Sequence, residues 1–246
     1  MTWPNLETVR ISLSISLPLL GEASRLKVLD LCYLSGTGIL NHFAGAKDLR
    51  IFRLGRFIER VHPREIIRLT RNIIGPAVRS QSLAAVSLSG VGNCGGSLRK
   101  YRWLAGCPSI RILELNAWGY WGDPNEPFDM DELANFLNSF PKLEVVAFGI
   151  GNWLAAQTGP DMRQLCAAME RIMAVGRVKR FAVSEDVNLG VLETPLKNMA
   201  SNCGVAFDRD YKWADLVGLG EFGVLGDSPS VLDKAEAPPV HDEQGE

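Results

Sequence analysis

The residues with the most suggestive chemistry are Gly90-Val91-Gly92-Asn93-Cys94-Gly95, a G-x-G-x-x-G run between an apolar stretch at 83–88 and a short helical pattern over 97–104. Glycines at this spacing let a pyrophosphate approach a helix N-terminus. An acid about twenty residues on, here Glu114, would hold the ribose hydroxyls. The alternative function this implies is an NAD(P)-dependent oxidoreductase built on residues 90–95. Two features argue against it. Ser87 and Ser89 interrupt what would have to be a nearly continuous apolar central strand. The pattern over 97–104 also carries Arg99, Lys100 and Arg102, which leaves little apolar surface to pack on a sheet.

Other catalytic constellations fail for want of partners. Ser97-Leu98-Arg99-Lys100 and Ser139-Phe140-Pro141-Lys142 both match S-x-x-K, and neither has a companion motif. Cys94 has no histidine near it in sequence to activate its thiol. The five cysteines (32, 94, 107, 166, 203) contain no C-x-x-C, and the three histidines (42, 62, 241) lie apart from them, so no zinc spacing exists. The main reading therefore expects no catalytic residue, no metal and no cofactor. Unpaired, scattered cysteines suit a reducing compartment, so the expected location is intracellular, cytoplasmic or nuclear.

Two sets of residues could bind a macromolecule. Arg50, Arg53, Arg56, Arg60, Arg64, Arg68 and Arg71 recur every three or four positions, and Arg64, Arg68 and Arg71 would share a helix face. This is either a solvated ridge or a dock for an anionic partner. The second set is aromatic: Trp118, Tyr120 and Trp121 in one loop, and Trp153 at the matching place one repeat later. Large aromatics on loops serve as binding anchors or cover the rim of a core. From the two sets, the candidate partner-binding residues are Arg53, Arg64, Arg68, Arg71, Trp118, Tyr120, Trp121 and Trp153.

The elements that would position these residues are repeats. The pattern L-x-x-L-x-L, with apolar substitutes, begins at Leu6, Leu26, Leu49, Leu83, Ile110, Leu143 and Val178, at spacings of 20, 23, 34, 27, 33 and 35. The shorter spacings fall in the leucine-rich-repeat range of roughly 20–29 residues, and the longer ones need insertions. Between the repeats, apolar residues at helical spacing predict helices over 63–74 (closed by Gly75-Pro76), 130–137 and 160–173 (followed by Gly176). Trp3-Pro4, Cys107-Pro108 and Phe140-Pro141 place a bulky residue and a proline just before a strand. Proline cannot continue a helix and pushes the residue before it towards extended geometry. Each unit thus reads helix, Pro-marked turn, strand. A single unit cannot bury its own apolar face, so units stack. The predicted fold class is α/β: an irregular leucine-rich-repeat-like solenoid over 1–225, with parallel strands on one face and helices on the other. A last helix from Thr194 to Cys203 and a strand at Val205-Ala206-Phe207 would cap it. Residues 226–246 read as a disordered acidic tail.

On these motifs the chain resembles the leucine-rich-repeat region of fungal F-box-type proteins, over about 3–188. The resemblance implies a protein-binding solenoid and a role as substrate receptor in an SCF-type ubiquitin ligase, with a protein partner of unknown identity. Two departures accompany it. The asparagine of regular repeats is replaced by Ser14, Leu34, Phe57, Val91, Trp118, Gly151 and Asp186, and no F-box stands before the repeats in these residues.

Composition agrees with a globular chain: 46% hydrophobic and 22% charged. The net charge of −2 argues against wholesale nucleic-acid affinity. Its distribution is uneven, however. Residues 1–103 hold 15 Lys+Arg and 6 Asp+Glu, leaving 11 and 22 for the rest, so an anionic partner would meet the N-terminal half. No run approaches the ~20 apolar residues of a membrane span. The Ile/Leu–Ser alternation over 11–20 reads as a strand rather than a secretory core. A solenoid starting at Trp3 would expose Val9, Ile11, Leu13 and Ile15 on an open strand edge. The expectation is therefore a piece of a longer ancestor or gene product, prone to associate through residues 1–20.

Overall fold

The computed structural model describes residues 6–11, 25–34, 43, 45–57, 63–88, 97–116, 130–149, 160–174, 176–184 and 189–219. Each repeat motif becomes a strand: β1 (Thr8–Ile11), β2 (Val28–Leu34), β3 (Ile51–Phe57), β4 (Ala85–Leu88), β5 (Ile112–Leu115), β6 (Val145–Phe148) and β7 (Arg180–Val183). An eighth, β8 (Ala206–Arg209), follows. All pair in parallel and in sequence order, β1-β2-β3-β4-β5-β6-β7-β8. Parallel neighbours need a crossover, and those after β3 carry α1 (Pro63–Arg79), α2 (Ser97–Lys100) with a 3-10 turn at Arg102–Leu104, α3 (Met130–Asn138), α4 (Pro160–Ala174), and a 3-10 turn at Gly190–Leu192 with α5 (Glu193–Asn202). The fold is α/β, and no described helix is long and apolar enough to cross a membrane.

The period-two alternation of each strand sends its side chains to two different layers. Val9, Leu29, Leu31, Phe52, Leu54, Val86, Leu88, Leu113, Leu115, Val146, Phe148, Phe181 and Val183 join the helices in one core. The helices meet them with Ile66, Leu69, Ile73 and Ile74 of α1, Leu133, Ala134 and Leu137 of α3, Met169, Ile172 and Met173 of α4, and Leu196 of α5. Proline-marked turns seal the joints. Phe140, fully buried before Pro141, packs edge-on against Phe136 with ring centres 5.1 Å apart. Gly176 turns the chain after α4 at φ +73°, a region that favours glycine.

Three expectations are corrected. Helix α1 does not close at Gly75-Pro76 but runs on to Arg79. Ala77 beyond the proline is fully buried, so packing carries the helix across the hydrogen bond that Pro76 cannot make. The segment 97–104 has an apolar face after all, because Leu98, Tyr101 and Leu104 recur every three residues and are all buried. Val9 is buried rather than exposed and Ile11 is half-buried, since their register with Leu29 and Leu31 turns them to the helix-side core. Leu13 and Ile15 lie outside the described residues, as do 226–246. The cap expected near the C-terminus corresponds to α5 and β8, followed by an unforeseen helix, α6 (Trp213–Val217).

Candidate functional site

The residue between the last two apolar positions of each motif points away from the helices. Strand register aligns these residues in one row across the sheet: Arg10, Asp30, Arg53, Ser87, Glu114, Ala147, Ala182 and Asp208. Four of its first five members carry charge, Ser87 being the exception, and the next two carry none. The Arg10 Nε and Asp30 Oδ2 atoms are 3.5 Å apart. Arg53 reaches both acids, with its NH1 3.8 Å from Asp30 Oδ1 and its Nε 3.8 Å from Glu114 Oε2. Ser87 lies between Arg53 and Glu114, and its small side chain leaves the path across β4 open.

Glu114 is 1% exposed and is the hub. It accepts hydrogen bonds from the Ser87 hydroxyl, from Asn116 Nδ2 at 2.7 Å and from the Tyr211 hydroxyl at 2.7 Å. Asn116 Nδ2 also donates to Ser87 Oγ at 2.7 Å. Asn116 fits because residue 149 is glycine: a Cβ there would lie 1.6 Å from Asn116 Oδ1. Burial raises the Asp30 carboxyl above its usual range despite Arg53 and Arg10, and nearby Glu114 adds to the rise. Burial works against the Arg53 guanidinium, but Glu114 and Asp30 together hold its pKa above the ordinary value. Two acids facing two guanidiniums leave the group charge-balanced, the condition under which buried charge is tolerated.

A strap covers this face. Beyond β8 the chain turns at Asp210 (φ +64°) and residues 211–219 run back over the sheet. Trp213, Leu216, Val217 and Leu219 form one apolar layer with Val28, Ile51, Ala85, Ile112, Val145, Ala147 and Ala182. The Arg53 guanidinium lies 5.9 Å from the centre of the Trp213 ring, and Arg10 NH1 donates to the Leu219 carbonyl at 3.1 Å. The strap thus touches β5, β3 and β1 in turn. With it in place Asp30 and Glu114 are almost fully buried, whereas the Arg53 side chain keeps 23% of its surface exposed.

A second feature is open to solvent. Where the strands begin, Lys27, Asp48, Arg50, Gln81, Ser82, Ala84, Ser109, Arg111 and Lys142 line a groove of about 550 Å³. Lys27, Arg50 and Arg111 each stand immediately before a strand, on one backbone row: Arg50 N–H donates to the Lys27 carbonyl at 2.7 Å and Arg111 N–H to that of Ala84 at 2.8 Å. Ser82 fixes one wall by donating to the Lys47 carbonyl at 2.6 Å. Glu7 holds Lys27 at 3.0 Å and Glu144 holds Arg111 at 2.6 Å. Counting both, the groove keeps four cations against three anions.

The sequence-derived candidates are distributed rather than assembled. Arg53 belongs to the covered charged row, whereas Arg68 and Arg71 are exposed on α1, with Arg71 5.8 Å from the Trp103 ring centre. Arg50 lines the groove. Among the described side chains, Arg50, Arg53, Arg68 and Arg71 therefore lie on three different surfaces. Arg64 falls in the first turn of α1 with its side chain outside the described residues, where Arg56's side chain, Arg60, Trp118, Tyr120, Trp121, Trp153 and the glycine run 90–95 also lie. Asp30, Asn116, Tyr211 and Trp213 were not anticipated. The one sequence signal for the first of these was the charge in the middle of successive L-x-L triplets. Among the described residues no group of three His, Cys, Asp or Glu side chains is placed to hold a metal. Compared with known proteins, the chain matches no family model, no curated protein and no solved structure.

Proposed function

We propose that this chain is a leucine-rich-repeat-like solenoid acting as a protein–protein interaction scaffold, docking an acidic segment of its partner along the groove at the strand starts. The observation that carries this reading is the groove, to which the residues just before β2, β3 and β5 contribute Lys27, Arg50 and Arg111, with Ala84 before β4 between them and Lys142 alongside. The solenoid reading is supported by a strand order that never reverses among the described strands, with the repeat motif at each of β1–β7. A doubly wound sheet would place its ligand where that order reverses. A role as substrate receptor of a ubiquitin ligase rests on the resemblance noted above. Partner carboxylates would compete with Glu7 and Glu144 for cations already in place.

A short fluorescein-labelled polyglutamate peptide tests the docking. It is expected to bind saturably at low salt and to weaken as salt rises, since exposed charges are screened beyond about 10 Å at roughly 0.1 M. The K27Q/R50Q/K142Q variant should lose about tenfold in affinity. No binding at low salt, or equal affinity of the variant, overturns edge docking, and tighter binding of a single-stranded oligonucleotide would turn the reading to nucleic acid. The oxidoreductase alternative requires Glu114 to hold ribose hydroxyls, and Glu114 is already engaged by Ser87, Asn116 and Tyr211. Saturable NAD(P)(H) binding that is lost in Gly92→Val would restore that alternative.

A further inference from the structure

We propose that the sheet face opposite the helices is a docking face for a short helical peptide, held here by the chain's own residues 211–219, and that a partner segment of the same chemistry displaces them. That chemistry is a tyrosine, a tryptophan two residues later, and aliphatic residues three and four beyond the tryptophan, as in Tyr211, Trp213, Leu216 and Val217. The face is built to receive such a segment. Ala85, Ala147 and Ala182 are short where the strap's apolar residues settle, so the layer is complete only when a strap is present. Glu114 aims Oε1 at the incoming hydroxyl, and Arg53 presents its guanidinium to the indole.

The strap is held as a ligand is held. Its helix has five residues, too few to persist in water without a surface to fold on. Its backbone bonds run inside the segment, from Asp215 and Leu216 N–H to the Lys212 carbonyl and from Leu219 N–H to that of Ala214. Its attachments to the sheet include side-chain burial, the Tyr211–Glu114 bond, the Arg53–Trp213 contact and the Arg10–Leu219 bond. It is also an imperfect occupant. Trp213 is 2% exposed, yet its Nε1 proton has no acceptor among the described residues, and Asp210 bears a left-handed φ where the strap departs from β8. A partner segment free of that turn and offering an acceptor to its own indole would hold the face better. The inner face and the edge groove are separate surfaces, so this inference does not depend on edge docking.

The test adds a labelled peptide of sequence 209–219 to the full chain. A W213A/L216A chain, whose own strap is weakened, is expected to bind it saturably and about tenfold more tightly than wild type, because an occupied face lowers apparent affinity by its free fraction. The peptide carrying the same two alanines should not bind. A folded variant that ignores the peptide overturns the proposal. If the variant does not fold, hydrogen exchange on the wild-type chain decides. Amides of 213–219 exchanging well ahead of those in β4–β6 support a displaceable strap, and exchange of both only together, through global unfolding, overturns it. None of these variants alters Lys27, Arg50 or Lys142, so either surface can fail while the other stands.

Discussion

On the helix side of the sheet, Leu29, Phe52, Val86, Leu113, Val146 and Phe181 play one part strand after strand, each filling the space beneath a crossover. On the other side the corresponding row reads Asp30, Arg53, Ser87, Glu114, Ala147 and Ala182, and most neighbours do different work. The first face is a periodic apolar layer in which the same kind of side chain recurs strand after strand. The second depends on a few directional contacts, several to one hub, and on a strap that occurs once. Burial of apolar surface is non-directional and tolerates variation. A hydrogen-bonded charge network fails when one member is lost.

The largest expected effect belongs to the periodic face. Phe148 is fully buried and packs on Phe181 with ring centres 5.2 Å apart. Phe148→Ala should cost about 3–5 kcal/mol, from lost transfer energy and the cavity left behind. Urea unfolding should show a lowered midpoint in one cooperative transition. A loss well under 1 kcal/mol would mean the repeats do not share a core, and the contrast between faces would collapse.

The next substitution tests the network through the adjacent residue. Gly149→Ala would force Asn116 off Ser87 and Glu114, since the new Cβ has no room beside Asn116 Oδ1. The expected cost is about 1–3 kcal/mol, the range for overpacking a filled site. The rescue is diagnostic: Asn116→Ala added to Gly149→Ala should recover part of the loss, whereas Asn116→Ala alone should destabilise. Additive effects would show that the asparagine is not what makes residue 149 a glycine.

How well each face could be read from sequence follows the same division. Spacings of L-x-x-L-x-L located β1–β7, and Val205-Ala206-Phe207 pointed to β8, because a period repeated along the chain needs only local information. At Gly75-Pro76 burial of Ala77 outweighs the local breaking signal, and α1 runs on to Arg79. The charged row was half-visible. Asp30, Arg53 and Glu114 stand in the middle of the second, third and fifth repeat motifs, yet nothing local says that they meet or that anything covers them. The strap was invisible, because its bonds join residues 97 and 209 positions apart and its sequence has no counterpart in any repeat.

The smallest expected effect isolates the bond by which the strap holds the network. Tyr211→Phe removes a donor to a buried carboxylate and should cost about 1–2 kcal/mol at neutral pH. Its pH dependence identifies the cause. Burial, followed by the neighbouring Glu114 carboxylate, disfavours phenolate and raises the Tyr211 pKa well above its ordinary value of 10.0. The unfolded chain therefore releases this proton near pH 10 while the folded chain keeps it, so above pH 10 the unfolded state binds fewer protons. Stability of the wild type then falls with rising pH, by up to about 1.4 kcal/mol per unit for one such group. Tyr211→Phe lacks this term, so its deficit against wild type should be constant from pH 7 to about 9, shrink above 10 and then change sign. The Cys32 thiol, pushed up to about 11 by burial and by Asp30, adds a similar slope in both proteins and cancels in the difference. Urea titrations of the pair across this range measure the gap directly. A gap independent of pH would mean Tyr211 is solvated like an ordinary tyrosine, with the strap resting on the sheet through apolar contact alone.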